Sequence, residues 1–355
     1  MKQKQKQKKT LLTLLFILIL FVIVYFADQT LDSYKMRILN LCAIYVILGL
    51  SMNLINGFTG LFSLGHAGFM AVGAYTTAIL TMPDIVKTQN FFMTPMMKPL
   101  DTIHVPFFLA LLAGGILAGV VGYLIGAPAL RLRGDYLAIA TLGFAEIIRV
   151  VFTNTQSITN GALGLKGIPV STNIWWTFGL ALVTVIVIGS LINSSYGRAF
   201  KAIREDEIAA ESMGINLFKH KVIAFTIGAF FAGIGGGLLG SLLGTIDPLM
   251  FRFFLTFNIL LIIILGGMGS ITGTIISAII ITIGGEALRF LDESMTIGSL
   301  VIPGISGMRM VVFSALLMIV VIFFNHGIMG TKEFTWDGLF AKFSKKPLAK
   351  GGNKQ

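Results

Sequence analysis

Apolar residues along the chain gather in stretches of about 20, the length a helix rising about 1.5 Å per residue needs to cross roughly 30 Å of hydrocarbon. Such stretches cover residues 11–27, 36–55, 59–82, 106–128, 135–153, 174–193, 221–243, 251–267, 271–290 and 308–325. The pattern predicts an all-α membrane protein with about ten transmembrane helices. The pair 251–267 and 271–290 is joined only by Gly266-Gly267-Met268-Gly269-Ser270. It fits either two full spans or one broken, re-entrant element.

Polar residues between the stretches predict orientation. One side of the alternating topology holds Lys2, Lys4, Lys6, Lys8 and Lys9, then Arg131 and Arg133, then Arg198, Lys201, Arg204, Lys219 and Lys221, and finally Lys332, Lys342, Lys345, Lys346, Lys350 and Lys354. The other side holds Lys35, Arg37, Lys87, Lys98, Lys166, Arg252, Arg289 and Arg309. Because cytoplasmic loops carry the excess of Lys and Arg, both termini are expected in the cytoplasm. The domain plan is a basic cytoplasmic tail at 1–10, a polytopic domain at 11–325 and a second basic tail at 326–355, both tails solvated and attracted to anionic headgroups. The basic start and the run after it resemble a secretory signal, but Tyr25-Phe26-Ala27 puts a bulky residue where cleavage wants a small one. An uncleaved first helix is the expectation. The longest connections are 83–105, 154–173 and 194–220, so no separate soluble domain fits.

Composition agrees. Of 355 residues, 55% are hydrophobic and only 12% charged, half the roughly 25% of average globular proteins, and mean hydropathy is +0.87. This excludes an ordinary soluble enzyme. Net charge of +11 could suggest nucleic acid, but the basic residues lie at the ends and in connections rather than on a folded face. The lone Cys42 and the scattered His66, His104, His220 and His326 provide no metal-ligand spacing. There is no P-loop, and no nucleophile–base constellation. Gly235-Gly236-Gly237-Leu238-Leu239-Gly240 satisfies G-x-G-x-x-G but follows no strand. Gly233, Gly237, Gly240 and Gly244 instead line one helical face for close helix packing. No cofactor is expected.

Three segments carry the candidate chemistry. In 56–75 a ribbon of small residues, Gly60, Ser63, Ala67, Ala71 and Ala74, falls at helical spacing. A stretch so rich in Gly is a poor helix by propensity, so it needs tight contacts or a bordering cavity. His66 reads as a hydrogen-bonded packing residue or, alternatively, as lining a path with Ser63. In the fifth span Glu146 and Arg149 share a face, each costing about 2.5–3.5 kcal/mol if alone at mid-membrane. They read as a structural ion pair or as a polar lining for a zwitterionic solute. The cytoplasmic connection 196–216 mixes charges in a way that suits two short amphipathic helices. Phe200, Ile203, Ile208 and Met213 are available to anchor, Arg204, Glu205 and Glu211 to meet a partner, and Gly214 suits a left-handed exit. A mere linker could be far shorter, so this connection is expected to be a docking surface for a cytoplasmic protein.

Taken together, several motifs resemble the membrane-spanning permeases of ATP-binding-cassette importers, specifically the LivM type of branched-chain amino-acid transporters. They are Gly57-Phe58-Thr59-Gly60-Leu61-Phe62-Ser63-Leu64-Gly65-His66-Ala67 with Gly73-Ala74-Tyr75, Arg131-Leu132-Arg133-Gly134-Asp135-Tyr136, and Thr141-Leu142-Gly143-Phe144-Ala145-Glu146-Ile147-Ile148-Arg149. Gly164-Leu165-Lys166-Gly167-Ile168-Pro169, the run 202–214 and Gly266-Gly267-Met268-Gly269-Ser270 complete the set, and the resemblance runs from about 37 to 325. It implies the ABC importer permease fold in a bacterial cytoplasmic (inner) membrane. Its implied partners are a second homologous permease, two cytoplasmic ABC ATPases, an extracytoplasmic solute-binding protein and the lipid bilayer, with ATP hydrolysed in the partner subunits. The family's E-A-A-x3-G contact pattern maps onto Ile208-Ala209-Ala210 and Gly214, with Ile in place of Glu and no Leu-Pro following. Implied coupling residues are thus Arg204, Glu205, Ile208, Ala209, Ala210, Glu211 and Gly214. On the outside, Asn160, Gly161, Gly164 and Lys166 are candidate contacts for the binding protein; a loop that only caps the helices is the alternative. A urea or short-amide permease shares these motifs. An ion-coupled secondary transporter, which usually buries several ionisable groups along its path, fits less well.

Overall fold

The computed structural model describes residues 2–132, 134–292, 295–297, 300–302, 307–323 and 327–333; Arg133, His326 and the tail lysines from Lys342 onward lie outside them. Two units are distinguished, Met1–Leu31 with Lys332–Gln355, and Asp32–Thr331. In the first unit, α1 (Lys2–Thr30) is one uninterrupted helix. Residues 2–10, expected as a disordered tail, are helical because Lys and Gln are good helix formers joined without a breaker to the apolar run.

The second unit contains the remaining helices: α2 (Ser33–Asn53), α3 (His66–Thr81), α4 (Asp84–Asn90), α5 (Phe107–Ala129), α6 (Asp135–Asn154), α7 (Gln156–Thr159), α8 (Ile174–Asn193), α9 (Ser195–Glu205), α10 (Glu207–Ser212), α11 (Leu217–Leu243), α12 (Phe253–Gly266), α13 (Ile271–Ala287) and α14 (Met308–Phe323). A π-helical turn, Leu54–Phe58, prolongs α2. Each predicted apolar stretch coincides with a helix. Among the described residues, five helices are long and apolar enough to cross a membrane: Ser33–Phe58, α5, α6, α8 and α11. The protein is an all-α membrane protein, its described strands being two short antiparallel pairs. In one, β1 (Leu165–Lys166) joins β2 (Thr245–Ile246); in the other, β3 (Met295–Ile297) joins β4 (Leu300–Ile302).

Residues 251–290 form a helical hairpin. The 14 residues of α12 rise only about 21 Å, and the 17 of α13 about 25 Å, both short of the roughly 30 Å hydrocarbon core. The turn between them needs glycine, since Gly267 and Gly269 have φ of 109° and 90°, which a side chain resists.

At the centre of this unit, α11 packs across α3 and α5, while α2 packs on α8, α12 and α13. The small-residue face of α11 is what brings the backbones together. A Cβ on Gly73 would lie 2.0 Å from the Gly233 carbonyl oxygen, and one on Gly236 2.1 Å from that of Met70. The G-x-G-x-x-G match is thus buried within a helix interface. The expected ribbon in 59–82 is only partly helical, because α3 starts at His66 and leaves Gly60 and Ser63 in the irregular stretch 59–65.

At the other end of α3 the connections form a lid of backbone hydrogen bonds. Lys87 is 2% exposed and its Nζ donates to the carbonyls of Leu100 and Ile103 at 2.8 and 2.7 Å. Burial holds its pKa below the ordinary lysine value, opposed by the charges of Asp84 and Asp101.

Candidate functional site

Helices α9 and α10 follow directly from their caps. Ser194 Oγ accepts from Tyr196 N at 3.1 Å to start α9. Asp206 Oδ1 accepts from Ile208 N and Ala209 N at 2.8 and 3.0 Å to start α10. Gly214, at φ 82°, ends α10 with two bonds, Gly214 N to Glu211 O at 2.9 Å and Ile215 N to Ala210 O at 3.1 Å, a Schellman arrangement. Lys221 Nζ reaches Glu207 Oε1 at 2.5 Å and ties α10 to the second turn of α11. The knob formed by α9 and α10 is therefore held at both ends.

Its faces differ from the expectation in two respects. Phe200 and Ile203 anchor it, at 0% and 2% exposed, whereas Ile208 and Met213 are 71% and 83% exposed. Arg204, expected to face a partner, turns inward: its Nη1 donates to Gly57 O at 3.1 Å, while Nη2 meets Glu205 Oε1 at 2.6 Å. Glu205, Ala209, Glu211 and Gly214 are exposed, and Ala210 is buried.

Beneath the knob runs a buried polar seam. Asn53, fully buried, donates to Ser270 O and Thr274 Oγ1 at 3.0 and 2.7 Å and accepts from Gly269 N at 2.9 Å. Asn56 brackets the backbone of Ser63, and hydroxyls of Thr141 and Thr256 accept from Leu64 N and Ala67 N at 3.0 Å each. These side chains make the non-helical 59–65 tolerable inside an apolar body. Asn53, Asn56, Thr141 and Thr256 were passed over in the sequence; the available signal was an amide or hydroxyl inside an apolar run.

His66 is buried, with Nε2 2.7 Å from Ser51 Oγ. Ser51 Oγ also lies 2.8 Å from Leu48 O, and which atom donates in the His66–Ser51 pair is set by the histidine tautomer. Arg149 Nε donates to Glu146 Oε2 at 2.7 Å, with side chains 21% and 38% exposed. The pair sits on the flank of α6, and no hydrogen bond among the described residues joins it to His66 or Ser63.

On the opposite end, Asn160 adopts φ 60° and its Nδ2 donates to Gly164 O at 2.7 Å. Gly161 and Gly164 are buried. Asn90 brackets the backbone of Lys166 at 2.8 and 2.9 Å, while Leu165 pairs with Ile246. This loop caps the helices. Of its four candidate contact residues, Lys166 is the exposed one; Leu163 and Val170 beside it are also exposed, at 50% and 68%.

Comparison with known proteins decides the family. Residues 34–324 match the family described as branched-chain amino acid transport system / permease component. The chain belongs to this permease family. The chain is 36% identical over 290 residues to the high-affinity branched-chain amino acid transport system permease protein LivM of Escherichia coli strain K12, covering 72% of this chain and 64% of the relative. It is 34% identical over 293 residues to LivM of Salmonella typhimurium, covering 73% and 64%. To the LivH permease protein of Escherichia coli strain K12 it is 24% identical over 329 residues, covering 87% and 97%. The chain thus spans a little under two thirds of the length of the LivM relatives it matches. No solved structure matches it. Members of the family are transport components rather than enzymes.

Proposed function

We propose that the chain is the membrane-spanning permease subunit of an ATP-driven importer, carrying branched-chain amino acids across the cytoplasmic membrane in about ten spans. The observation that carries the coupling role is the exposed apolar tip of a rigidly capped knob: Ile208, Ala209 and Met213 beside Glu211. Large apolar side chains presented on a polar rim mark an interaction site. Two cytoplasmic ATPases are the partners with a reason to hold it, since the chain contains no P-loop. A second permease is supported by similarity to both LivM and LivH proteins of one organism's high-affinity system, and a solute-binding protein would meet Lys166, Leu163 and Val170.

Sidedness has support from packing. Gly57 meets Arg204 of the knob, Gly269 lies beside the same arginine, and Ile328 N and Met329 N bond to Leu265 O and Gly266 O. The knob, the α12–α13 turn and the segment after α14 therefore share one end, consistent with a cytoplasmic C-terminus. The path for solute runs beside α3 and α6 in this reading, with Glu146 and Arg149 the charged pair nearest it.

The test is co-purification of the chain with its natural partners and measurement of which solutes stimulate ATP hydrolysis in vesicles. Leucine, isoleucine or valine should stimulate; stimulation by urea alone would overturn the substrate assignment. Met213→Glu and Ile208→Glu should lose the ATPases on purification while still inserting. Retention of both ATPases at wild-type levels by the double variant would sink the docking surface.

A further inference from the structure

Arg204 occupies a position that the docking role alone does not use. It is the last-turn arginine of α9, yet its guanidinium reaches the C-terminal end of α2 and the turn that joins α12 to α13. Nη1 donates to Gly57 O at 3.1 Å, in the π-helical turn that ends α2. A Cβ on Gly269 would come 2.6 Å from the same Nη1, which places the guanidinium against the turn that follows α12. The stem is held as well, since a Cβ on Gly60 would come 2.8 Å from Arg204 Cγ. Lys201, one turn earlier, lies 6.0 Å from the Phe58 ring centroid.

A helix C-terminus leaves carbonyls without intrahelical partners and carries the negative end of the dipole, so the guanidinium is attracted to the end of α2 at Gly57 O. Asn53 then carries the connection onward from α2. Its three hydrogen bonds grip Gly269 N, Ser270 O and Thr274 Oγ1, and Thr274 belongs to α13. One unbroken set of contacts runs from the α9–α10 knob through Arg204 to the end of α2, and through Asn53 to the α12–α13 turn and the start of α13.

Resting on the coupling role proposed above, we infer that Arg204 is a positioning residue for transport, which passes displacement of the knob to α2 and the α12–α13 hairpin rather than gripping the ATPase. Its partly buried, inward-turned side chain separates it from Ile208 and Met213, which face outward.

The experiment uses the full importer in vesicles, measuring ATPase co-purification, ATP hydrolysis and solute uptake for Arg204→Met, Arg204→Lys and Met213→Glu. Arg204→Met keeps the stem and removes every donor. It should co-purify with the ATPases at wild-type level while uptake per ATP falls roughly tenfold, the weight of one charge-assisted hydrogen bond. Arg204→Lys, able to reach one carbonyl, should recover part of that ratio. An unchanged ratio in Arg204→Met overturns the inference, and so does loss of the ATPases from it, which would make Arg204 a docking residue. Loss of the ATPases in Met213→Glu speaks only to the docking surface, so the two readings fail separately. If Arg204→Met does not insert, hydrogen exchange of the unmodified importer decides: amide protection in 204–212, 57–65 and 267–274 should change together on nucleotide binding. Change confined to 204–212 refutes transmission through this arginine.

Discussion

The α3–α5–α11 junction offers a substitution whose sign depends on tertiary structure. Gly73→Ala would place Cβ 2.0 Å from the Gly233 carbonyl oxygen and 2.4 Å from its Cα, where ordinary contact begins near 3.4 Å. Both atoms are backbone, so no rotamer can yield and α3 must move away from α11 by an ångström or more. Overpacking of this kind costs about 1–3 kcal/mol, and a backbone neighbour puts it at the upper end. Helix propensity works the other way, favouring Ala over Gly by about 0.8–1.0 kcal/mol. The net is a destabilisation of about 1–2 kcal/mol. Gly143→Ala on α6 is the control, because a Cβ there meets nothing within 4 Å and only the propensity term remains. Thermal unfolding of the isolated chain in one detergent should show a lowered midpoint for Gly73→Ala and an unchanged or raised one for Gly143→Ala. A midpoint for Gly73→Ala at or above wild type would refute the close-packing account.

Lys87 predicts a pH dependence outside the membrane. Its pKa is lowered by burial, so between that value and the ordinary lysine value of about 10.4 the unfolded chain binds more protons than the folded one. Stability should therefore rise with pH through that window; unfolding midpoints from pH 8 to 10.5 should climb in wild type relative to Lys87→Met, and parallel curves would contradict this. For the ion pair of α6, Glu146→Ala and Arg149→Ala should each destabilise by more than their share of the double variant, with a coupling of at least about 0.5 kcal/mol in a double-mutant cycle; additivity would assign the pair no mutual stabilisation.

The helices were legible because their signal is local. Uninterrupted apolar length is readable without knowing any neighbour, and every predicted stretch contains a helix. The boundary of α3 was not, because it depends on whether partners exist for the backbone of 59–65 and of the first turn of α3, and those partners come from the preceding π-helical turn (Asn56), from α6 (Thr141) and from α12 (Thr256). Small-residue spacing located the packing face of α11 but extended the ribbon of α3 too far back, since period alone does not say where a helix starts. In the knob, sequence indicated two helices and the glycine exit. It did not indicate that Ile208 and Met213 are exposed, because amphipathic spacing treats 196–212 as continuous whereas Asp206 caps a new helix, nor that Arg204 bonds to Gly57 O, a contact set by the approach of α2.

Composition and apolar run length alone determined that this chain lives in lipid and that it forms helices. Those properties follow from transfer free energy summed along the chain. Which polar side chains meet was decided only by tertiary packing. An arginine reaches the end of a helix begun well over a hundred residues earlier because the approach of α9, α2 and the α12–α13 turn is a property of three elements at once, and no single segment encodes it.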